Sequence, residues 1–572
     1  MPPQCGQPHD DAASGADPLK AQRIDLARSQ EREREKPGRV RPKMLGSAVV
    51  LGFHAAAALL TGTSRGDQLI HTFRSPNAQS DGRFGWCVAA SDPAEPLCLV
   101  AIGAPEESSA GVPAAGMAYL FDPVDAVMLA QFSSAAPHAR GRFGFAVALL
   151  GDLDGDGEGD LAVGAPGEDA DQGYADAGRV HLLSGGSGTT ILTLSSPEPE
   201  PAGYFGWSVL ALGDVTGDGI GDLAVGAPGE MPAQSRCNVG RAYLFSGAGG
   251  GLVCTLDAPA QAPDGRFGSS MAALNCDGGP VIAIGMPTAD DSASGAVFLF
   301  DAGGGLHTTL VSPGPAAGGR FGSVVAGGGD LNGDSVRDLL VGAPGEDGGS
   351  AYAFDVEDDN LIAAYLPPPS QGAGFFGRAV GSSGDVDGDG QQDVVVGYLV
   401  DDAGGWGGKI RVLHGAGAPV AELAAPDPSG SSFGWSTAPV GDVDGDGRGD
   451  LAVGAYGTAG QSGEDEAGCV YLMRPSPAEG FVAPERLRLV GPWPNPAREQ
   501  ARVFIPRIDA ARVRSVLYDA GGRQVARATV HSVGAQGTEL EMRLPADLPS
   551  GLYCWHASLG ECRTRLPLVV LR

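Results

Sequence analysis

The sequence predicts an all-β protein: a seven-bladed β-propeller of four-stranded blades, closed by an N-terminal strand, and then a small β-sandwich. Three observations carry this. A Phe-Gly pair recurs seven times, with its Phe at 84, 143, 205, 267, 321, 376 and 433. Between pairs the apolar runs are short and bounded by Gly, Pro and Asp, as strands are and helices are not. Four such runs fill each interval, and four antiparallel strands repeated around an axis bury each blade against the next.

Taken in order, residues 1–43 form a polar leader with the charge run Glu31-Arg32-Glu33-Arg34-Glu35-Lys36. Residues 44–63 follow a basic edge (Arg39, Arg41, Lys43) and run apolar from Met44 to Phe53 and from Ala55 to Leu60, ending in Thr61-Gly62-Thr63. This has the order of a secretory signal, with a membrane anchor as the alternative. The repeat array occupies 64–476. Its second unit shows the four strands most clearly, at Phe145–Leu149, Asp160–Gly164, Gly178–Leu183 and Thr190–Leu194. The seventh unit ends at Cys469–Met473 and runs into Pro475 and Pro477 with no fourth strand. The segment Leu69–Pro76 has the pattern of that missing strand, so it is expected to complete the last blade and leave no open edge.

Five Phe-Gly pairs are followed, nine residues after the Phe, by an acidic nine-residue loop. Its positions 1, 3, 5 and 9 are Asp152, Asp154, Asp156 and Asp160; Asp214, Thr216, Asp218 and Asp222; Asp330, Asn332, Asp334 and Asp338; Asp385, Asp387, Asp389 and Asp393; and Asp442, Asp444, Asp446 and Asp450. Like charges this dense repel unless a cation sits among them, and oxygen-only donors suit a hard ion such as calcium. Position 7 (Glu158, Ile220, Val336, Gln391, Arg448) is expected to add a backbone carbonyl. The units at Phe84 and Phe267 are shorter and lack the ladder, with Pro93 and Cys276 at its first position. Loop length and ligand content thus change together, which marks the insertion as the metal loop. Thr216 and Asn332 lower the charge of their loops, so those two sites are expected to bind more weakly. The loops lack the Glu at position 12 and the flanking helices of an EF-hand.

The net charge of −31 disfavours nucleic acid as a partner, and the loops alone hold eighteen Asp. The role expected of five bound calcium ions is structural, pinning hairpins that would otherwise fray.

The combination of Phe-Gly, acidic loop and Gly-Ala-Pro (Gly103-Ala104-Pro105, Gly164-Ala165-Pro166, Gly226-Ala227-Pro228, Gly342-Ala343-Pro344) resembles the FG-GAP repeats of integrin α-subunit heads and of many bacterial secreted proteins. The resemblance implies seven blades, calcium loops joining first and second strands on one face, and contacts to other macromolecules through the opposite face and rim. Units six and seven depart from it, with Gly397-Tyr398-Leu399 and Gly454-Ala455-Tyr456, and no inserted ligand-binding domain interrupts the blades.

Residues 477–483 read as a linker. From Pro484 to Arg572 there are thirteen Arg and no Lys, and alternating runs with Gly521-Gly522 turns indicate the sandwich. Pro494-Asn495-Pro496, Leu517–Arg523 and Leu548–Tyr553 resemble type IX secretion sorting domains and the related hook-capping immunoglobulin-like domains, which implies export and surface attachment. Cys87 with Cys98, and Cys554 with Cys562, are candidate disulfides, and Cys237 with Cys254 a weaker third.

Catalytic patterns are sparse. Gly430-Ser431-Ser432-Phe433-Gly434 has nucleophile-elbow spacing but opens a blade. Of two Arg-Gly-Asp tripeptides, at 65–67 and 448–450, the second lies inside a metal loop. The function expected is a secreted or surface-displayed, non-catalytic module that acts as a monomer. Its ligand would be an extracellular protein or glycan, and it would meet a membrane only through an anchor or surface attachment. The alternative is an extracellular enzyme of polysaccharide lyase or phospholipase type with the propeller as scaffold.

Overall fold

The computed structural model describes residues 68–477, with breaks at 92–97, 172, 233–237, 260–261, 263, 277–278, 291, 335, 369–372, 387–390, 403–404, 416 and 428–430, and the backbone of strands between 490 and 570. The leader and the apolar segment 44–63 lie outside the described residues, among which no helix is long and apolar enough to cross a membrane.

Seven antiparallel blades succeed one another. Blade 1 holds Cys87–Ala90, Val100–Ala104, Met117–Asp122 and Val127–Phe132; blade 2 holds Ala146–Leu149, Leu161–Ala165, Arg179–Leu183 and Thr190–Ser195. Blades 3, 4 and 5 run from Ser208 to Asp257, from Ser270 to Val311 and from Val324 to Tyr365 in the same order of four. Blade 6 holds Ala373–Gly384, Asp393–Asp402, Gly405–Leu413 and Pro419–Ala424. Blade 7 holds Ser431–Gly441, Asp450–Gly457 and Cys469–Met473. The fourth strand of blade 7 is Leu69–Phe73, antiparallel to Cys469–Met473, with Thr72 opposite Tyr471 and Phe73 opposite Val470. The expected closure therefore forms. Blades 6 and 7 are also joined by the single pairing of Gly407 with Ser431.

The first strands touch one another in an unbroken cycle from blade 1 through blade 7 and back. Second and third strands are mostly buried, Leu161–Ala165 along its whole length, while fourth strands such as Val127–Phe132 are largely exposed and form the rim. Each core cluster is shared between neighbours: Val180 and Leu182 of blade 2 pack with Leu223, Val225 and Tyr243 of blade 3. Across the closure, Phe73 and Tyr119 pack with Val440 and Leu472.

The repeated motif is the inter-blade joint. Every Phe of the seven pairs is fully buried. Its N–H bonds to the preceding blade, as Phe143 does to the Ala115 carbonyl and Phe205 to Ala177, both at 2.8 Å, and Phe84 closes the circle on Ala467 at 2.9 Å. A Cβ on Gly164 would lie 2.0 Å from the Gly206 carbonyl oxygen of the next blade, and one on Gly454 would lie 2.2 Å from that of Gly85. The Gly of Gly-Ala-Pro is thus required by close approach of the next blade's Phe-Gly turn.

Beyond 490 the backbone forms two four-stranded antiparallel sheets. One contains Val490–Trp493, Gln500–Pro506, Gly537–Arg543 and Thr529–Gly534; the other contains Gln524–Arg527, Arg514–Tyr518, Gly551–Leu559 and Cys562–Val570.

The predicted disulfide of Cys87 with Cys98 does not form. Both are free thiols, and they face opposite blades: Cys87 Sγ donates to the Gly144 carbonyl of blade 2 at 3.2 Å and Cys98 Sγ to the Val440 carbonyl of blade 7 at 3.1 Å. Cys254 is also free, so the third pair is not made either; Cys237 lies outside the described residues. Cys554 and Cys562 pair in register with Pro567 and Leu559, and their side chains lie outside the described atoms.

Candidate metal centre

Each acidic loop joins the first strand of its blade to the second, so all five lie at one end of the first strands. Their internal geometry repeats. The carboxylate at position 1 folds inward onto backbone N–H groups: Asp152 accepts from Gly155 at 2.7 Å and Gly157 at 2.9 Å, and Asp442 from Asp446 at 2.9 Å and Gly447 at 2.8 Å. Gly155 and Gly157 sit at φ +82° and +92°, a conformation that suits glycine and turns the loop tightly enough for this. One oxygen of the Asp at position 9 accepts the N–H of position 2 in every loop, at 2.6 Å (Leu153), 2.8 Å (Val215), 2.6 Å (Leu331), 2.9 Å (Val386) and 3.0 Å (Val443).

The second oxygen of that Asp differs between loops. In blades 2 and 3 it accepts the N–H of Gly185 at 3.0 Å and of Gly247 at 3.1 Å. In blades 5 and 7, Asp338 Oδ1 and Asp450 Oδ1 are buried and accept nothing, and both residues are wholly inaccessible. In blade 7 the residue equivalent to Gly185 is Pro475, which has no N–H to give. An orphaned, buried carboxylate oxygen is costly unless a cation meets it. Burial, reinforced by neighbouring carboxylates, accordingly pushes Asp338 and Asp450 up to about 7.

Three groups bring carboxylate oxygens within 4.8 Å of one another: Asp152, Asp154 and Asp160; Asp442, Asp444 and Asp450; and Asp334, Asp338 and Asp355. The first two follow the predicted ladder. In the third, Asp355 comes from outside the loop, and no spacing rule within the loop would have found it. Asp156 and Asp218 instead accept Ser184 Oγ and Ser246 Oγ, each at 3.1 Å. Asp387 and Asp389 lie outside the described residues. The donor set is all oxygen and fits a hard divalent ion.

The opposite end of the first strands carries two further features. The first is a series of buried glutamates three residues past the Gly-Ala pair. Glu107 accepts Tyr119 Oη at 2.5 Å, Glu230 accepts Tyr243 Oη, Glu346 accepts Tyr352 Oη at 2.5 Å, and Glu168 meets His181 Nε2 at 3.0 Å. Ser75 and Ser312, each from the linker just after a neighbouring blade's last strand, bond to Tyr119 at 3.1 Å and to Glu346. These networks tie one blade to the next, and burial pushes Glu107 and Glu230 up to about 7. A carboxyl raised in the folded state favours folding while protonated, so stability should fall as pH rises from about 4.5 to about 7 and level off above. Each group contributes at most ~3 kcal/mol to that fall. Glu230→Gln should remove its share: melting temperatures of wild type and variant, measured from pH 4.5 to 8.5 in saturating calcium, should diverge as pH rises. Parallel curves would show that Glu230 does not titrate in this range.

The second feature is an aromatic cluster. Trp86 packs against Phe145, Trp435 and Tyr456 with centroids 5.5, 4.7 and 5.2 Å apart, and Phe145 reaches Trp207 at 4.5 Å. The Arg378 guanidinium lies 3.3 Å from the Trp435 ring centre and Arg83 5.7 Å from Trp86. Burial pulls Arg378 down to about 10. Trp207, Trp435 and Tyr456 remain partly exposed.

The FG-GAP repeat family model matches residues 143–183, 205–245, 321–356 and 433–473. The chain carries FG-GAP repeats. Its propeller is integrin α-like, being 34% identical to integrin alpha-5 of Xenopus laevis over 223 residues, 36% of this chain and 20% of that protein. It is 34% identical to integrin alpha-2 of Bos taurus over 33% of this chain and 17% of that protein. It is also 32% identical to phosphatidylinositol-glycan-specific phospholipase D of Homo sapiens over 33% of this chain and 24% of that protein. The matched region thus spans about a quarter or less of each relative. The four family matches coincide with blades 2, 3, 5 and 7, each of which has an acidic loop.

Proposed function

We propose that this chain is a secreted or surface-displayed, calcium-stabilised propeller that binds a macromolecule without catalysing a reaction. Calcium would be held in five loops by the side chains at positions 1, 3, 5 and 9 and the carbonyl at position 7, and its role is structural. Recognition belongs to the opposite face. The single observation that supports this is the cluster in which partly exposed Trp207, Trp435 and Tyr456 pack on buried Trp86 and Phe145, with Arg83 and Arg378 beside the rings. Aromatic rings beside guanidinium groups form rigid, amphipathic contact surfaces of the kind that anchor protein interfaces. The likeness to integrin α chains supports an adhesion role for that face. The ligand is an extracellular protein or glycan, and the propeller acts as a monomer.

The remaining segments fit export. Residues 44–63 serve as signal or anchor, and 484–572, whose backbone forms two four-stranded sheets, serve as an immunoglobulin-like sorting domain of the type IX kind. The test is an array of extracellular proteins and glycans probed with purified protein in millimolar calcium, beside a Trp435→Ala variant. Saturable binding lost in the variant is expected; binding that the variant retains would remove the aromatic face from the account. A second reading, an enzyme with the propeller as scaffold, rests on the phospholipase D similarity. Hydrolysis of a phosphatidylinositol-glycan substrate by the purified chain would establish it over the first.

A further inference from the structure

In blades 2, 3, 5 and 7 the residue that follows the third strand faces that blade's own acidic loop, and its chemistry varies. In blades 2 and 3 it is Ser184 or Ser246, a neutral hydroxyl bonded to the carboxylate at loop position 5. In blade 5 it is Asp355. In blade 7 it is Arg474, whose guanidinium pairs with Asp444 and lies 3.5 Å from Asp446 Oδ2. From its own residues the blade 5 loop, where Asn332 replaces an Asp, is expected to bind more weakly than the blade 7 loop, which keeps four Asp.

We propose that in these four blades this position sets the cation affinity of the loop and inverts that order. Asp355 is a ligand supplied from outside the blade 5 loop, restoring the charge that Asn332 gives up. Arg474 is a built-in counter-ion that makes blade 7 a weak site. The proposal rests on the reading that the loops bind calcium.

Two observations support the role of Asp355 independently. Its carboxylate lies within 4.8 Å of those of Asp334 and Asp338, and the buried Asp338 Oδ1 in the same group has no hydrogen-bond partner. Simple turn capping accounts for only part of Asp355. Its Oδ1 accepts the N–H of Glu357 at 2.9 Å, just as Asp122 Oδ1 accepts that of Val124 in blade 1, which has no acidic loop. Its Oδ2 is turned to the loop, where it accepts Asn332 Nδ2 at 3.2 Å. With Asp355 the blade 5 site has four carboxylates (Asp330, Asp334, Asp338, Asp355), as many as blade 2 has within its loop. In blade 7 the guanidinium subtracts one charge from four and occupies oxygens that an ion would use. Affinity in such sites follows ligand charge count, so one unit of charge in either direction is expected to change it about tenfold.

Calcium titration calorimetry on the full chain tests both halves. D355N keeps the turn cap and loses only the charge; it should weaken one site about tenfold, and D355S, the residue type of blades 2 and 3, should do the same. R474S should strengthen one site by a similar factor. Near-ultraviolet circular dichroism in saturating calcium verifies that each variant is folded. If D355N and D355S leave the isotherm unchanged while D338N removes a site, Asp355 only caps its turn and the first half is overturned. If R474S leaves the isotherm unchanged or weakens a site, the second half is overturned. If D338N also changes nothing, the calcium reading itself has failed.

Discussion

Chelation with EDTA is expected to lower the melting temperature of the propeller by roughly 15 °C, the largest solvent effect the architecture implies. A ligand that binds only the folded state at 100 times its dissociation constant adds about 2.7 kcal/mol, so five sites add on the order of 13 kcal/mol. Unfolding entropy of about 2.1 cal/mol/K per residue over roughly 400 residues converts this into the stated shift. The structural argument is local. Without an ion, the buried Asp338 and Asp450 oxygens are unmatched, and four carboxylates at one loop repel. Blades 1 and 4 have no acidic loop, so their hairpins should not contribute to the shift. Calorimetric scans in millimolar calcium and in EDTA that superimpose would show that the loops hold their shape without an ion.

The ring could be read from the sequence because its joints are made by residues with no substitute. Phe84, Phe143 and their equivalents fill the space between blades, and Gly164 and its equivalents admit the next turn at a distance no side chain permits. Such residues recur at a fixed period and stand out. The position-9 Asp was legible for the same reason, since one oxygen has the same backbone task in all five loops. What escaped the reading depends on contacts between separate segments. Asp355 lies seventeen residues beyond its loop, and the position it occupies is Ser, Ser, Asp, His and Arg in the five loop-bearing blades, with no constant type to notice. The buried glutamates did leave a trace in Pro-Gly-Glu at 166–168, 228–230 and 344–346 and in Pro-Glu-Glu at 105–107. They resemble surface turns until the tyrosine opposite is placed. Cys87 and Cys98 are near in sequence, but the blade turns their thiols to different neighbours, which spacing alone does not reveal.

Deleting residues 68–76 should abolish the cooperative unfolding of the propeller. Among the described residues, the strand Leu69–Phe73 is the only rim strand supplied by a distant part of the chain, and it joins the two ends of the array within a single blade. Its loss exposes the backbone edge of Cys469–Met473, a row of unpaired donors and acceptors that invites association with other chains. It also opens the core at blades 7 and 1, where Phe73 is 2% exposed and packs on Phe121 with centroids 5.0 Å apart. Emptying a site of that kind by Phe73→Ala alone typically costs about 3–5 kcal/mol, against a total stability for a domain of about 5–15 kcal/mol. The full deletion also removes the Ser75 contact to Tyr119 and the ladder to Cys469–Met473, so the remaining six and three-quarter blades should not close. Calorimetry should show no single sharp transition, and size-exclusion chromatography should show aggregate. A chain ending at 477 is the matched control, because among the described residues no strand beyond 490 pairs with a propeller strand, and it should melt as the intact propeller does. A deletion variant that stays monomeric and melts with the same sharpness would mean that the seven blades are held by their inner joints alone, and that the returning strand is an ornament of the rim.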